Sequence, residues 1–279
     1  MNKLIYPCLW FDGKAKEAAE FYCTIFPDTV ITSGNPMVTI LKVAGHKLML
    51  LDGGPYFQLN PSISFFVTFE TAEDVDLAWE KLVQEGQVLM PLDKYDWSEK
   101  YGWVQDKFGV SWQLSAGKLE NVGQKVIPSL MFTQHHAGKA EQAIHFYTSI
   151  FSKSSIIGIL KYSAEDPDME GSIKHAQFTL GNQVFMAMDS SLAHNFSFNE
   201  ALSLVVECDT QEEIDYYWNK LSAVPEAEQC GWLKDQFGIS WQIVPSILGQ
   251  LMSDPSRSER VINAFMQMKK FDIEKLLKA

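Results

Sequence analysis

The sequence predicts an α+β protein in which one domain occurs twice, its antiparallel strands curled beneath helices set on one face. Three observations carry this. GWVQDKFGVSWQLS (Gly102–Ser115) returns as GWLKDQFGISWQIV (Gly231–Val244), with eight of fourteen positions identical. Other segments return in the same order: Ile5–Phe26 as Ile127–Phe151, Val43–Asp52 as Leu180–Asp189, and Phe57–Val67 as Phe196–Val206. Within each copy, stretches of period-2 alternation are separated by stretches of helical period. Residues 1–120 and 125–245 therefore read as two versions of one domain, with 121–124 as linker and 246–279 as a C-terminal tail.

Each copy reads in the same element order. A strand over Leu4–Phe11 leads into a helix with Asp12 as its expected cap and Ala15, Ala18, Ala19, Tyr22 and Ile25 on one face. Strands near Met37–Val43 and Lys47–Leu51 are joined by a turn at Gly45-His46. A strand over Ser62–Phe69 follows, then a helix over Ala72–Glu85 capped by Thr71, with Val75, Ala78, Trp79 and Leu82 inward. Strands near Gln87–Pro91, Gly102–Asp106 and Val110–Ser115 close the copy. The pattern is β-α-β-β-β twice per copy, which places helices on one face of antiparallel strands. The tail reads as two short helices, one capped by Ser253 or Asp254 and opened by Pro255, the other capped by Asp272. Its stripe of Val261, Ile262, Phe265, Met266 and Met268 suits docking.

Alternation sorts the strand faces. Ile63, Phe65, Val67 and Phe69 form one apolar set, and Val110, Trp112 and Leu114 another, so Trp112 and its counterpart Trp241 read as core. The opposite face carries polar groups. A curled sheet turns them into the wall of a cup, the natural place for a ligand. The expected lining is Ser64, Ser111 and Gln113, with Ser62, in the first copy, and His175, Gln177, Ser203, Ser240 and Gln242 in the second. Trp97, Tyr101 and Trp103, with Tyr95, form a candidate lid. Asp106 and Asp235, in DKFG and DQFG, read as turn caps.

Bulk composition narrows the function. The 279 residues carry a net charge of −12, which opposes a chain-wide nucleic-acid or anionic-membrane footprint. Cys8, Cys23, Cys208 and Cys230 show no CxxC spacing, so neither a disulfide framework nor a zinc site is expected. MNKLIYPCLWFDG meets Asp12 and Gly13 too early for a signal peptide, and no apolar run has membrane-spanning length. The expected location is the cytoplasm.

Several segments carry a family resemblance: WFDGKAKEAAEFYCTIFP (Trp10–Pro27), GNQVFMAMD (Gly181–Asp189), FNEALSLVVECDTQEEIDYYWNKLS (Phe198–Ser222), CGWLKDQFGISWQIVP (Cys230–Pro245) and the tail from Leu251 to Ala279. The chain resembles the vicinal-oxygen-chelate superfamily of glyoxalase I, bleomycin-resistance proteins and extradiol dioxygenases, in its PhnB-like branch. The resemblance implies tandem domains of paired β-α-β-β-β modules around cups. It also implies a covalently linked pseudo-dimer able to form a homodimer. In catalytic members three strands supply His, His or Gln, and Glu to a divalent metal with open positions for vicinal oxygens. The resemblance places those positions at Pro7, Ser64 and Gln113, and at Pro128, Ser203 and Gln242. Proline has no donor and serine is a poor one, so no metal and no other cofactor is expected.

The expectation is a small-molecule-binding protein that sequesters its ligand or has an unassigned activity. The alternative is a metal-dependent lyase, isomerase or dioxygenase with an atypical site around His175 and Gln242. Such proteins are often labelled 3-demethylubiquinone-9 3-methyltransferases. No glycine-rich strand-turn-helix cradle for a nucleotide-like cofactor is present in the sequence.

Overall fold

The computed structural model describes residues 4–279. Met1–Lys3, the start of the segment read as too short for a signal peptide, lie outside them. The first module comprises β1 (Ile5–Phe11), α1 (Ala15–Ile25), β2 (Thr29–Gly34), β3 (Val38–Val43) and β4 (His46–Asp52). The second comprises β5 (Ile63–Phe69), α2 (Ala72–Leu82), β6 (Gln87–Tyr95), β7 (Ser98–Gln105) and β8 (Ser111–Ala116). A short helix, α3 (Leu119–Val122), leads into the third: β9 (Val126–Phe132), α4 (Ala140–Ile150), β10 (Ser155–Lys161), β11 (Ile173–Leu180) and β12 (Gln183–Asp189). The fourth holds β13 (Leu202–Cys208), α5 (Gln211–Leu221), β14 (Trp232–Lys234) and β15 (Ser240–Pro245). The tail forms α6 (Leu248–Ser253), α7 (Ser258–Phe265) and α8 (Ile273–Lys278). This is the expected α+β architecture of two β-α-β-β-β-derived domains with helices outside curled sheets and a helical tail.

Several local expectations need correction. Asp12 does not cap α1. The first helical N–H, on Ala15, donates to Asp52 Oδ1 at 2.9 Å, and in the second copy Ala140 N–H donates to Asp189 Oδ1 at 3.0 Å. The cap arrives from the end of a neighbouring strand, so no local motif announces it. Thr71 caps α2 as read, accepting from Asp74 N–H at 3.1 Å, but the helix stops at Leu82 and not Glu85. Strand β2 falls outside the expected spans. The fourth module has no counterpart of β6; a 3-10 turn at Pro225–Ala227 stands in its place. The tail has three helices, not two, and α7 opens at Ser258 instead of Pro255, while Asp272 caps α8 as expected.

Among the described residues the strands form two mixed sheets. One has seven strands in the order β14-β15-β13-β1-β4-β3-β2, the other eight in the order β10-β11-β12-β9-β5-β8-β7-β6. The modules of one repeat therefore do not share a sheet. β1 pairs antiparallel with β13, bringing Cys8 opposite Ser203, and β5 pairs antiparallel with β9, bringing Ser64 opposite Ser129. Each sheet joins the first module of one repeat to the second module of the other.

The two modules of a repeat meet through their helices and a shared core. Trp112 and Trp241 are fully buried, as alternation implied. Asp106 does more than cap its turn. Its Oδ1 accepts from Phe108 and Val110 N–H, and its Oδ2 accepts from Trp112 Nε1 and from the hydroxyl of Tyr22 on α1, all at 2.9–3.0 Å. Asp235 repeats this with Phe237, Ile239, Trp241 and Tyr147 of α4, at 2.7–3.1 Å. Burial pushes the Asp235 carboxyl up to about 6, against the opposing pull of its four donors.

The tail closes the edge that the missing strand leaves. Cys230 and Gly231 N–H donate to the carbonyls of Met268 and Lys269 at 2.8 and 2.7 Å, so backbone bonds are satisfied there without another chain. Gly231 has φ +84°, and a Cβ on it would lie 2.3 Å from the Phe271 ring. Only glycine admits the tail this closely.

Asp235→Ala leaves two indole and phenol donors and two backbone N–H groups buried without an acceptor. It is expected to destabilise the protein by about 3–5 kcal/mol in urea unfolding, with Asp235→Asn losing less because one oxygen remains.

Candidate functional site

The concave face of each sheet carries one polar trio where three strands meet. In the seven-stranded sheet it is Cys8 on β1, Ser203 on β13 and Gln242 on β15, and Gln242 Nε2 donates to Ser203 Oγ at 2.9 Å. In the eight-stranded sheet it is Ser129 on β9, Ser64 on β5 and Gln113 on β8, with Gln113 Nε2 donating to Ser64 Oγ at 2.7 Å. The β1 and β9 members correct the sequence reading by one residue. Pro7 and Pro128 face the other way, bordering with Phe65 and Val126 a void of about 10 Å³. A one-residue slip moves a strand side chain to the opposite face, and both faces of β1 are apolar enough to hide it.

The cup residues are also distributed differently from the sequence reading. Ser203, Ser240 and Gln242 line the seven-stranded cup, with Cys8 from the other repeat. His175 and Gln177, on β11, share the eight-stranded sheet with Ser64, Ser111 and Gln113. His175 and Gln242, the pair named for the alternative metal site, stand in different sheets. Burial alone holds the His175 imidazolium below its ordinary range. Gln177 is engaged elsewhere, its Nε2 donating to Val122 O at 3.0 Å.

The two cups differ in how they are finished. On the eight-stranded side Tyr101 and Trp103 are wall residues of β7 and not part of a loop. Both are buried, clustered with Met131, Phe66, Met188 and Phe196. Tyr101 donates its hydroxyl to Gln113 Oε1 at 2.7 Å, and Trp103 Nε1 donates to Ser111 Oγ at 2.7 Å. Trp97 sits on the β6–β7 turn, 62% exposed, stacked on Tyr95. On the seven-stranded side Trp10, Met49, Leu51, Trp232 and Val244 around the trio are only half-buried. Trp10 is fixed by its Nε1 bond to Gly54 O at 2.7 Å and by Gly53, where a Cβ would lie 2.2 Å from the indole. It meets Trp232 and Phe57 edge-on, at 6.1 and 5.1 Å. At the far end Glu207 accepts from the Tyr6 hydroxyl at 2.8 Å and pairs with Lys47 at 2.6 Å. Cys8, Ser129, Trp10, Trp232 and Glu207 were not among the residues singled out from the sequence.

The donor sets can be tested against a divalent metal. Among the described residues no group of three or more His, Cys, Asp or Glu stands together to hold one. The trios offer only neutral hydroxyls, amides and one thiol. The Gln113 oxygen is already taken by Tyr101. Burial pushes the Cys8 thiol up to about 12, away from the thiolate that binds metals, although Gln242 and Ser203 oppose the shift by hydrogen bonding. These residues do not fit a divalent cation. A separate groove of about 500 Å³, bordered by Asp28, His46, Glu70, Asp74 and Lys125, contains no member of either trio.

Two curled sheets of paired modules, each with three strands presenting side chains at one point of its cup, define a vicinal-oxygen-chelate fold. The structure is similar to glyoxalase I from Zea mays, with a TM-score of 0.58 at 12% identity over 91% of this chain and 96% of that one. The family model described as 3-demethylubiquinone-9 3-methyltransferase matches residues 3–115 and again 124–244, and the chain belongs to that family. It is 37% identical to the PhnB protein from Bacillus cereus over 39% of this chain and 96% of that one, with a TM-score of 0.37. It is 28% identical over 94 residues to Protein YjdN of Escherichia coli (strain K12), spanning 33% of this chain and 60% of that relative's length.

Cys8 and Cys208 are buried, whereas Cys23 and Cys230 are half-exposed. A thiol-specific disulfide reagent is expected to titrate two thiols in the native protein and four after unfolding. Mass mapping should place the late pair at Cys8 and Cys208.

Proposed function

We propose that the protein binds a small, uncharged, partly aromatic molecule in the seven-stranded cup without a metal. It either sequesters the molecule or acts on it through an activity not yet assigned. The observation that supports this reading most is the half-buried apolar ring of Trp10, Met49, Leu51, Trp232 and Val244 around a neutral polar trio. An apolar wall with a few convergent polar groups suits a small ligand whose orientation is set by hydrogen bonds. Neutral floor groups favour an uncharged ligand, because a buried charge needs a charged partner. The eight-stranded cup, with its own tyrosine and tryptophan on the floor, is assigned a structural role. Four cysteines outside any disulfide suit the reducing cytoplasm.

Methyl transfer is not the activity proposed, since neither cup offers the glycine-rich cradle that a nucleotide-like methyl donor needs. Sequestration requires only affinity and slow release, and an apolar wall around a neutral trio supports that reading.

A thermal-shift screen of small aromatic compounds tests the reading. A ligand at about 100 times its Kd adds roughly 2.7 kcal/mol of apparent stability, a rise of several degrees. That rise is expected in the wild type and in Gln113→Ala, and is expected to disappear in Gln242→Ala. Metal analysis of protein purified without a histidine tag should give well below one equivalent. Stoichiometric zinc, manganese, nickel or iron that is lost in His175→Ala would overturn the metal-free reading.

A further inference from the structure

The two closing hairpins copy each other in sequence but not in hydrogen bonding. In the eight-stranded cup the floor is complete: Gln113 Nε2 donates to Ser64 Oγ, the Tyr101 hydroxyl donates to Gln113 Oε1, and Trp103 Nε1 donates to Ser111 Oγ. In the seven-stranded cup the first of these bonds persists between Gln242 and Ser203. The other two do not. Cys230 stands at the sequence position of Tyr101 but in the turn before β14, with φ +52° and its sulfur set against Met266 Sδ at 3.8 Å. Trp232, the counterpart of Trp103, packs edge-on against Trp10 instead of bonding the serine below. Ser240, the counterpart of Ser111, is 1% exposed and its Oγ has no partner. A buried hydroxyl without a partner is costly, and a bound group that satisfies it removes that cost.

The repeat thus displays, in one cup, the groups that the other cup lacks: an aromatic ring with a hydroxyl aimed at the glutamine, and a polar hydrogen aimed at the serine. We infer that the seven-stranded cup takes a hydroxyaromatic molecule. Its phenolic hydroxyl donates to Gln242 Oε1 as Tyr101 does to Gln113, and a second polar group meets Ser240 Oγ. The ring occupies the position of the absent tyrosine. There the side chains flanking Tyr101 in the other cup, Phe66 and Met131, are replaced by Val205 and Trp10. Cysteine for tyrosine and valine for phenylalanine remove side-chain volume, the indole of Trp10 in place of methionine takes up part of it, and that pinned indole offers an edge-to-face partner. Met49, paired with Cys8 across β1 and β4, adds a polarizable sulfur. This assignment rests on the reading of the seven-stranded cup as the ligand site.

The test compares 4-methylphenol with 4-methylanisole, which has the same ring but cannot donate. Binding is followed by the carbon-13 methyl signal of Met49, assigned with Met49→Leu. The expected result is a Met49 shift with 4-methylphenol at a Kd about tenfold lower than with 4-methylanisole, the contribution of one ordinary hydrogen bond. Gln242→Met should erase the difference between the two probes, and Gln113→Met should leave it intact. The wild-type comparison stands on its own if a variant fails to fold. Equal shifts by both probes would overturn the hydroxyaromatic assignment and leave the cup as a ligand site. Silence of Met49 with both probes at millimolar concentration would overturn the assignment. Were the wider aromatic screen also to give no Gln242-dependent stabilisation, the ligand-site reading would fall with it.

Discussion

One buried carboxylate per repeat holds the two sheets of this molecule in register. Asp106 stands in the closing hairpin of the eight-stranded sheet, yet it accepts the hydroxyl of Tyr22, whose helix packs on the seven-stranded sheet. Asp235 mirrors this with Tyr147 across the same divide. Each carboxylate also orders its own turn through two backbone N–H groups and holds the indole of the adjacent core tryptophan. Four donors on two oxygens, in a low-dielectric interior, make a junction in which loss of one member leaves the others unpaired. The tryptophans at the heart of the repeated segment therefore serve this junction, while the glutamines one residue along face the opposite side and serve the cups.

The cups follow from how the sheets are assembled. Because β1 pairs with β13 and β5 with β9, every trio draws one side chain from each repeat's inner strand and a third from the strand beyond. The same scaffold then supports two different finishes. Tyr101 and Trp103 fill the eight-stranded floor with the chain's own aromatic groups. On the other side Cys230 leans toward the tail, and the tail takes the edge where a strand like β6 would run. The difference between the two floors thus goes together with the loss of a strand in the fourth module, whose edge Met268 and Lys269 take.

Much of this was legible in the sequence where the signal was local or repeated. Alternation alone put Trp112 and Trp241 in the core and their neighbouring glutamines on the other face. Thr71 and Asp272 announced helix starts because their caps lie three residues away. What could not be read were the interactions that span distance. The cap of α1 comes from Asp52, reached only after the chain has formed three more strands. The exchange of modules between repeats has no local signature at all, since either pairing satisfies the same alternation. Cys8 was missed because β1 is apolar on both faces, so period 2 did not say which side faced the cup. Gln242 and Ser203 were found, and the thiol completing their trio was not.

The exchange of modules also changes what heredity can do with this chain. A substitution in the first half of a repeat touches one cup, and a substitution in the second half touches the other. Neither repeat owns a cup, so a repeat on its own would need a second copy to complete either wall. Fusion of the copies removes the need for two separate chains to find each other. It also frees each wall from being identical to its twin. The unequal floors at Tyr101 and Cys230 are a divergence that two identical, unlinked subunits could never have acquired.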